Sequence, residues 1–332
     1  MSLSLLIGTG FEIKRAVFLA EASQIAYDTN PLSVVSWAKA QGFQTPVPFD
    51  RKNVQGFWGV QGDVALLAFR GTSNPGQWIR DARFAPVPFP WGWIHAGFKD
   101  GVEDVGPDLA DFYKALADAK PKYVWITGHS LGGALAVVAA ARLKMQTSRI
   151  AGLYTYGQPR VGLGAFAERF SIELPGQLYR FVNQSDIVTR VPPGLLYRHT
   201  GIVKRIVRPG VLEFAAKLPN YTTGFGAPQF QPGFESSFRE EPLATGATAR
   251  VFESTALETA QAVASSGLEQ TTMIDCDLPP LSDHEFRQLQ MELTVQQDSP
   301  TFGGPGFEGS ISWFSDHAIG EYIRLLKEIR DQ

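Results

Sequence analysis

Tyr123-Val-Trp-Ile-Thr-Gly128-His129-Ser130-Leu131-Gly132-Gly133 is the stretch on which the reading of the fold turns. Its first five residues are β-branched or aromatic and read as a short buried strand. After the glycine-rich turn, Leu131, Leu135 and Val138 recur through an alanine-rich run, which reads as a buried helix. Between the two lies G-x-S-x-G, in the strand–turn–helix context that the motif requires. Such a turn forces its serine into a strained backbone conformation, so small residues are needed on either side. Gly128 and Gly132 supply them, and Gly133 lets the helix pack closer. The strain holds Ser130 Oγ up at the carboxyl end of a sheet, and the helix N-terminus behind it favours developing negative charge. The structural alternative is a tight strand–helix turn with a solvated serine; the flanking strand and helix weigh against it.

Outward from this turn, strands alternate with helices. Upstream, Lys14–Tyr27 carries Phe18, Ala22 and Ile25 at helical spacing. Val54–Val60 and Val64–Arg70 form a hairpin about Gln61-Gly62-Asp63. The second run is apolar on both faces, as a strand inside a sheet must be. Pro107 opens a helix with Leu109, Phe112, Tyr113 and Leu116 on one face. Downstream, Leu153–Tyr156, Leu178–Val182 and Ile202–Val207 read as strands, and Glu321–Ile329 as a closing helix. The expected fold is α/β, with a mostly parallel central sheet covered by helices on both faces. Residues 210–310 break the pattern: 219–250 and 298–310 are rich in Gly and Pro, while 251–266 and 281–294 have helical spacing. They are read as a long insertion within one 1–332 domain, and no internal repeat is evident.

With 44% hydrophobic and 19% charged residues, the 332-residue chain can bury a large core. A formal charge of -3, a pI near 6.0 and no basic run leave no electrostatic case for nucleic acid. One cysteine, Cys276, excludes an intrachain disulfide. The N-terminus lacks the charge and length of a signal peptide, so the expectation is a cytoplasmic or leaderless, bacterial protein without a transmembrane segment. Asn183-Gln-Ser185 and Asn220-Tyr-Thr222 then match the glycosylation tripeptide by accident. Asp275, Asp277, Asp283 and His284 have no metal-ligand spacing, and neither metal nor cofactor is expected. The oligomeric state is not legible.

Several further segments, in order, resemble the fungal-type, or class 3, lipases on the α/β-hydrolase fold. They are Phe69-Arg-Gly-Thr72, Trp78-Ile-Arg-Asp81, His95-Ala-Gly-Phe98, Tyr156-Gly-Gln-Pro-Arg-Val-Gly162 and Asp186-Ile-Val-Thr-Arg-Val-Pro-Pro193. The resemblance covers about residues 50–210 and the C-terminus. It implies an ester hydrolase with backbone oxyanion donors at Thr72 and Leu131, a third donor at Thr72 Oγ1, and a lid about Trp78, Ile79 and Phe84. The alternative for the lid is a surface loop with one buried tryptophan. The tryptophans of Pro86–Trp93 fit an acyl groove or interface as well as plain packing under a proline-rich connection.

In this fold the triad runs Ser, acid, His. Asp186 follows the Leu178–Val182 strand and stands in the family's D-x-V-x-x-x-P-P context; its alternative role is an Asx-turn or cap. His95 and His129 come too early in the chain, and His199 matches a family position outside the triad. His284 and His317 both follow an aspartate. His284 lies in a polar helical pattern, whereas His317 precedes Ala-Ile-Gly-Glu-Tyr322 and resembles the family's D-H-x-x-x-x-Y ending, so His317 is the expected base. Three functions follow as candidates: a triacylglycerol or acyl-ester lipase, an esterase for soluble or aromatic (feruloyl-type) esters, and a lipase-like scaffold that binds without catalysis. Region 210–310, flanked by Asp186 and His317, is expected to form a cap or part of the acyl pocket wall.

Overall fold

Val64–Phe69 and Tyr123–His129 run parallel, with Val64 opposite Tyr123 and Phe69 opposite Gly128. Their side chains alternate between two cores, as a pleat with both faces covered requires. Ala65, Leu67, Phe69, Val124 and Ile126 point to one face; Leu66, Ala68 and Trp125 point to the other.

The computed structural model describes residues 2–52, 54–72, 74–81, 84–146, 150–184, 186–194, 196–208, 270–274, 277–297 and 316–332. The readings of 219–266 and 298–310, and Cys276, fall outside the described residues. In chain order the elements are α1 (Ile13–Ile25), α2 (Pro31–Gln41), β1 (Val47–Arg51), β2 (Val54–Gln61), β3 (Val64–Phe69), α3 (Pro75–Asp81), β4 (Pro86–Phe89), β5 (Gly92–His95), α4 (Ala96–Asp104), α5 (Gly106–Ala119), β6 (Tyr123–His129), α6 (Leu131–Lys144), β7 (Ile150–Tyr156), β8 (Gly162–Leu163), α7 (Gly164–Glu173), β9 (Leu178–Asn183), β10 (Tyr197–Arg198), β11 (Ile202–Val207), β12 (Thr272–Ile274), α8 (Asp283–Gln297) and α9 (Ile319–Asp331).

The main sheet has the order β1-β2-β3-β6-β7-β9-β11-β12, parallel from β3 to β11 and antiparallel at both edges. Helices α1 and α9 cover one face through Phe18, Tyr322, Leu325 and Leu326. Helices α4 to α7 cover the other through Phe98, Phe112, Leu135 and Phe166. Trp125 anchors the first face: its indole N–H donates to Leu6 O at 2.8 Å, and the Arg15 guanidinium lies 4.6 Å above its ring. Truncating such a buried ring costs about 3–5 kcal/mol.

A second, four-stranded sheet, β10-β8-β5-β4, is not legible in the proline-rich stretch. Pro86 and Pro88 are tolerated because β4 is an edge strand, paired only with β5 among the described residues. Its two candidate interfacial tryptophans part company. Trp91 is buried against Phe166 and Phe170, while Trp93 is 47% exposed. All the elements above belong to one compact unit, residues 1–207 with 271–332.

Candidate active site

Four loops that follow parallel strands of the main sheet bring the site together, where such folds place their ligands. Ser130 follows β6 with φ 57° and ψ -129°, a conformation disfavoured for any side-chain-bearing residue. The turn closes so tightly that a Cβ on Gly128 would stand 2.2 Å from Gly132 O, and one on Gly132 would stand 2.5 Å from Phe69 O. The Ser130 N–H donates to Tyr156 O at 2.8 Å, tying the elbow to the end of β7. As the first residue of α6, Leu131 has an N–H with no acceptor inside its helix.

Asp186 follows β9 and is fully buried. Its carboxylate accepts from Val188 N–H at 2.9 Å, Tyr322 O–H at 2.8 Å and His317 Nδ1, the last 3.0 Å from Oδ1 and 2.8 Å from Oδ2. A carboxylate only accepts, so the proton between them sits on His317 Nδ1. Nε2 is thereby left with a bare lone pair. Both His317 Nε2 and Ser130 Oγ are buried without a hydrogen-bond partner among the described residues.

Gly157, beyond β7, makes room for this pair. A Cβ there would lie 2.7 Å from both Asp186 Oδ2 and His317 Nδ1, and its φ of +59° suits glycine. Asn183 holds the His317 loop by donating from Nδ2 to Asp316 O at 2.9 Å. Burial and the adjacent Asp186 push the Tyr322 phenol well above its usual range, so it remains a donor to the carboxylate. The sequence pattern assigns no contact to Gly157, Asn183 or Tyr322. Only Tyr322 leaves a signal, as the last residue of the D-H-x-x-x-x-Y match.

Thr72 lies beyond β3, half-buried, and its Oγ1 accepts from Asn74 N–H at 3.2 Å, which leaves the hydroxyl proton free to donate. The adjacent Gly71 abuts the elbow: a Cβ there would meet His129 O at 2.5 Å and Ser130 Cβ at 2.9 Å. The other histidines lie apart from the acid. His284 is exposed on the first turn of α8. His199 is half-buried, and its Nε2–H donates to Thr189 O at 2.8 Å, steadying the Asp186 loop. Burial, then the Arg180 charge, push its pKa well below the ordinary value. His95 packs its ring 4.4 Å from Phe98.

Asn74-Pro75-Gly76 forms the start of a helix. Asn74 Oδ1 accepts from Gln77 N–H at 2.8 Å, and Pro75 takes the first helical position of α3, where its missing N–H costs nothing. Trp78 stacks on Phe98 at 6.0 Å. Ile79 is fully buried in a separate cluster with Phe286, Leu289 and Leu293 of α8 and Val188 of the acid loop. Phe84 lies 5.0 Å from Phe286, ring to ring. Gln290 Nε2 donates to Ile79 O and Arg80 O, both at 3.1 Å, satisfying carbonyls in the last turn of α3. Helix α8, from the expected insertion, therefore lies on α3.

Residues 66–195 match the model of the family described as lipase (class 3). The lipase of Rhizomucor miehei is 37% identical over 144 residues, 41% of this chain and 39% of that protein. Secreted mono- and diacylglycerol lipase 1 of Fusarium solani is 37% identical over 140 residues, 41% of each chain. The chain thus spans about two fifths of the length of these curated relatives. A solved triacylglycerol lipase, described as having a catalytic centre formed by a serine protease triad, superposes with a TM-score of 0.53 at 27% identity, over 58% of this chain and 80% of that one. Residues 66–195 are thus similar to the class 3 lipases, and the α/β-hydrolase architecture is shared with the solved lipase.

Proposed function

We propose that this protein hydrolyses carboxylic esters of lipids, acylglycerols foremost, through an acyl-enzyme on Ser130. The observation that carries the reading is the buried Asp186–His317 pair at 2.8 Å, which leaves Nε2 bare; the oxygen of the elbow serine, Ser130, is likewise buried and unpaired among the described residues. Ser130 Oγ attacks the ester carbonyl as His317 Nε2 takes its proton. The same proton then passes to the leaving alcohol, and water repeats the sequence to release the acid. Asp186 holds the tautomer and stabilises the imidazolium. The N–H groups of Thr72 and Leu131 receive the oxyanion, with Thr72 Oγ1 as a third donor; each such donor is worth about 10²–10³ in rate.

Helix α3 serves as the lid, and α8, packed on Ile79 and Phe84, is the described part of the cap expected from 210–310. One observation favours a second reading. With Ile79 already buried under α8, α3 has no free apolar face to lay on lipid unless α8 moves with it. If α8 stays in place, the protein works on soluble esters. Rates measured across the solubility limit of a short triglyceride separate the two: a jump supports the lipase, smooth saturation the esterase. Hydrolysis of neither emulsified triglyceride nor nitrophenyl esters by the wild type, with Ser130→Ala as blank, contradicts both.

A further inference from the structure

His129, the residue before the nucleophile, has no part in the proton transfers just described. Yet it is one of the best-connected side chains of the site. Its ring is almost wholly buried and lies 4.6 Å from the His317 ring, tilted by 33°. Nε2 is 2.6 Å from the backbone carbonyl of His317, and Nδ1 is 2.7 Å from the Tyr27 hydroxyl. A carbonyl oxygen only accepts, so Nε2 carries the proton; Nδ1 is then bare and accepts from the Tyr27 O–H. Burial, and after it the neighbouring His317, push the His129 pKa well below the ordinary imidazole value, which keeps this tautomer neutral. Burial likewise raises the Tyr27 phenol and keeps it a donor. The Tyr27 oxygen lies close against Gly71, the residue before Thr72: a Cβ there would stand 2.3 Å from it.

These contacts form one continuous line: Gly71 packed against the Tyr27 oxygen, Tyr27 O–H to His129 Nδ1, His129 Nε2–H to His317 carbonyl. It joins the strand exit that carries the oxyanion donors to the backbone of the general base, and passes beside the elbow without touching the reacting atoms.

Resting on the hydrolase reading above, we propose that His129 is a positioning residue, a neutral double-ended clamp that holds His317 and the Gly71–Thr72 oxyanion segment in fixed mutual geometry. The clamp needs a donor at the Nε2 position and an acceptor at Nδ1. Glutamine keeps a donor within reach of the His317 carbonyl but loses the Tyr27 link. Asparagine presents an oxygen to Tyr27 but is too short to reach His317.

The test is the saturation kinetics of 4-nitrophenyl butyrate, with the rate at which an organophosphonate labels Ser130, for wild type, His129→Asn, His129→Gln, Tyr27→Phe and the double variant Tyr27→Phe/His129→Gln. A displacement of about 1 Å in a catalytic group costs on the order of 10²-fold. His129→Asn is therefore expected to lose about 10–100-fold in kcat and labelling, with KM within about twofold. His129→Gln should recover to within about fivefold of wild type, and Tyr27→Phe should lose about three- to tenfold. In the Gln background, where the link is already cut, Tyr27→Phe should add nothing. Equal losses in Asn and Gln that track their melting temperatures mean a mere core histidine and overturn the proposal, as does a Tyr27→Phe variant of full rate. Should His129→Asn not fold, Tyr27→Phe and the double variant decide between these outcomes on their own. A labelled wild type with indifferent variants sinks this inference only; an unlabelled wild type sinks the hydrolase reading, and this inference with it.

Discussion

At the scale of single residues, the candidate site leaves Ser130 Oγ and His317 Nε2 unpaired among the described residues, while the Asp186 carboxylate is fully engaged. Asp186 accepts three hydrogen bonds, and each has a distinct consequence. The one to His317 fixes the tautomer, so Asp186→Asn should leave the fold intact and lower kcat by about 10⁴ in steady-state assays, through the wrong tautomer. Tyr322 donates to the same oxygen but does not touch the imidazole Nδ1–H bond. Tyr322→Phe should therefore cost only about tenfold, with a modest loss of stability of about 1 kcal/mol for the missing hydrogen bond. A Tyr322→Phe enzyme as dead as Asp186→Asn would mean that the tyrosine takes part in the chemistry itself. Ser130 and its flanking glycines are legible in the sequence because elbow strain leaves a local signature. Gly157 is not, because its constraint comes from Asp186 and His317, 29 and 160 positions further along the chain, and no local pattern records that.

At the scale of elements, the long periodic segments are readable and the short ones are not. Strands β3, β6, β7 and β9 and helices α5, α6 and α9 lie where apolar spacing puts them, since burial on both faces of a central strand leaves an unbroken apolar run. The four-stranded sheet escapes notice because β8 and β10 have two residues each, too few for any period. Helix α2 is announced by Asn30-Pro31 and Gly42, a cap, a first-position proline and a left-handed end, but not by its apolar pattern. The pairing of α3 with α8 joins segments some 200 residues apart, beyond any reading of spacing. It makes a testable claim: Phe286→Ala, which removes the ring against Phe84, should loosen the cover and raise the phosphonate labelling rate of Ser130 several-fold, while lowering stability by roughly 3 kcal/mol. An unchanged or slower labelling rate in a folded variant would show that α8 does not govern access. Arg180, buried in β9, pairs with Asp277 in the segment that leads into α8. The pair holds the Asp277 carboxyl far below the usual range. Asp277→Asn strands that arginine and should destabilise the protein by on the order of 2 kcal/mol, less than for a fully dry pair because 35% of the Asp277 side chain remains exposed.

At the scale of the whole molecule, the site is part of the buried core, and this couples stability to pH. His129 is buried and His199 half-buried, and both have folded pKa values well below the ordinary imidazole value. A depressed folded pKa means that the unfolded chain takes up the proton first. The stabilisation is then complete above about pH 6.5 and is lost as pH falls towards the folded values. Each site removes about 1.4 kcal/mol per pH unit, so urea unfolding should show a loss of roughly 2–3 kcal/mol between pH 7.5 and 5.5. A flat profile over that range would mean that these imidazoles are accessible to protons in the folded state. Among the described residues no helix is long and apolar enough to cross a membrane.

The central claim is that residues from three distant parts of the chain make one hydroxyl reactive, and covalent capture tests it most directly. Intact protein treated with an organophosphonate should gain a single adduct, mapped by mass spectrometry to Ser130. The adduct should be absent in Ser130→Ala, formed at least about 10³-fold more slowly in His317→Ala, and formed at the wild-type rate in His284→Ala. An adduct elsewhere, or labelling that survives the loss of His317 and fails with the loss of His284, would contradict the account.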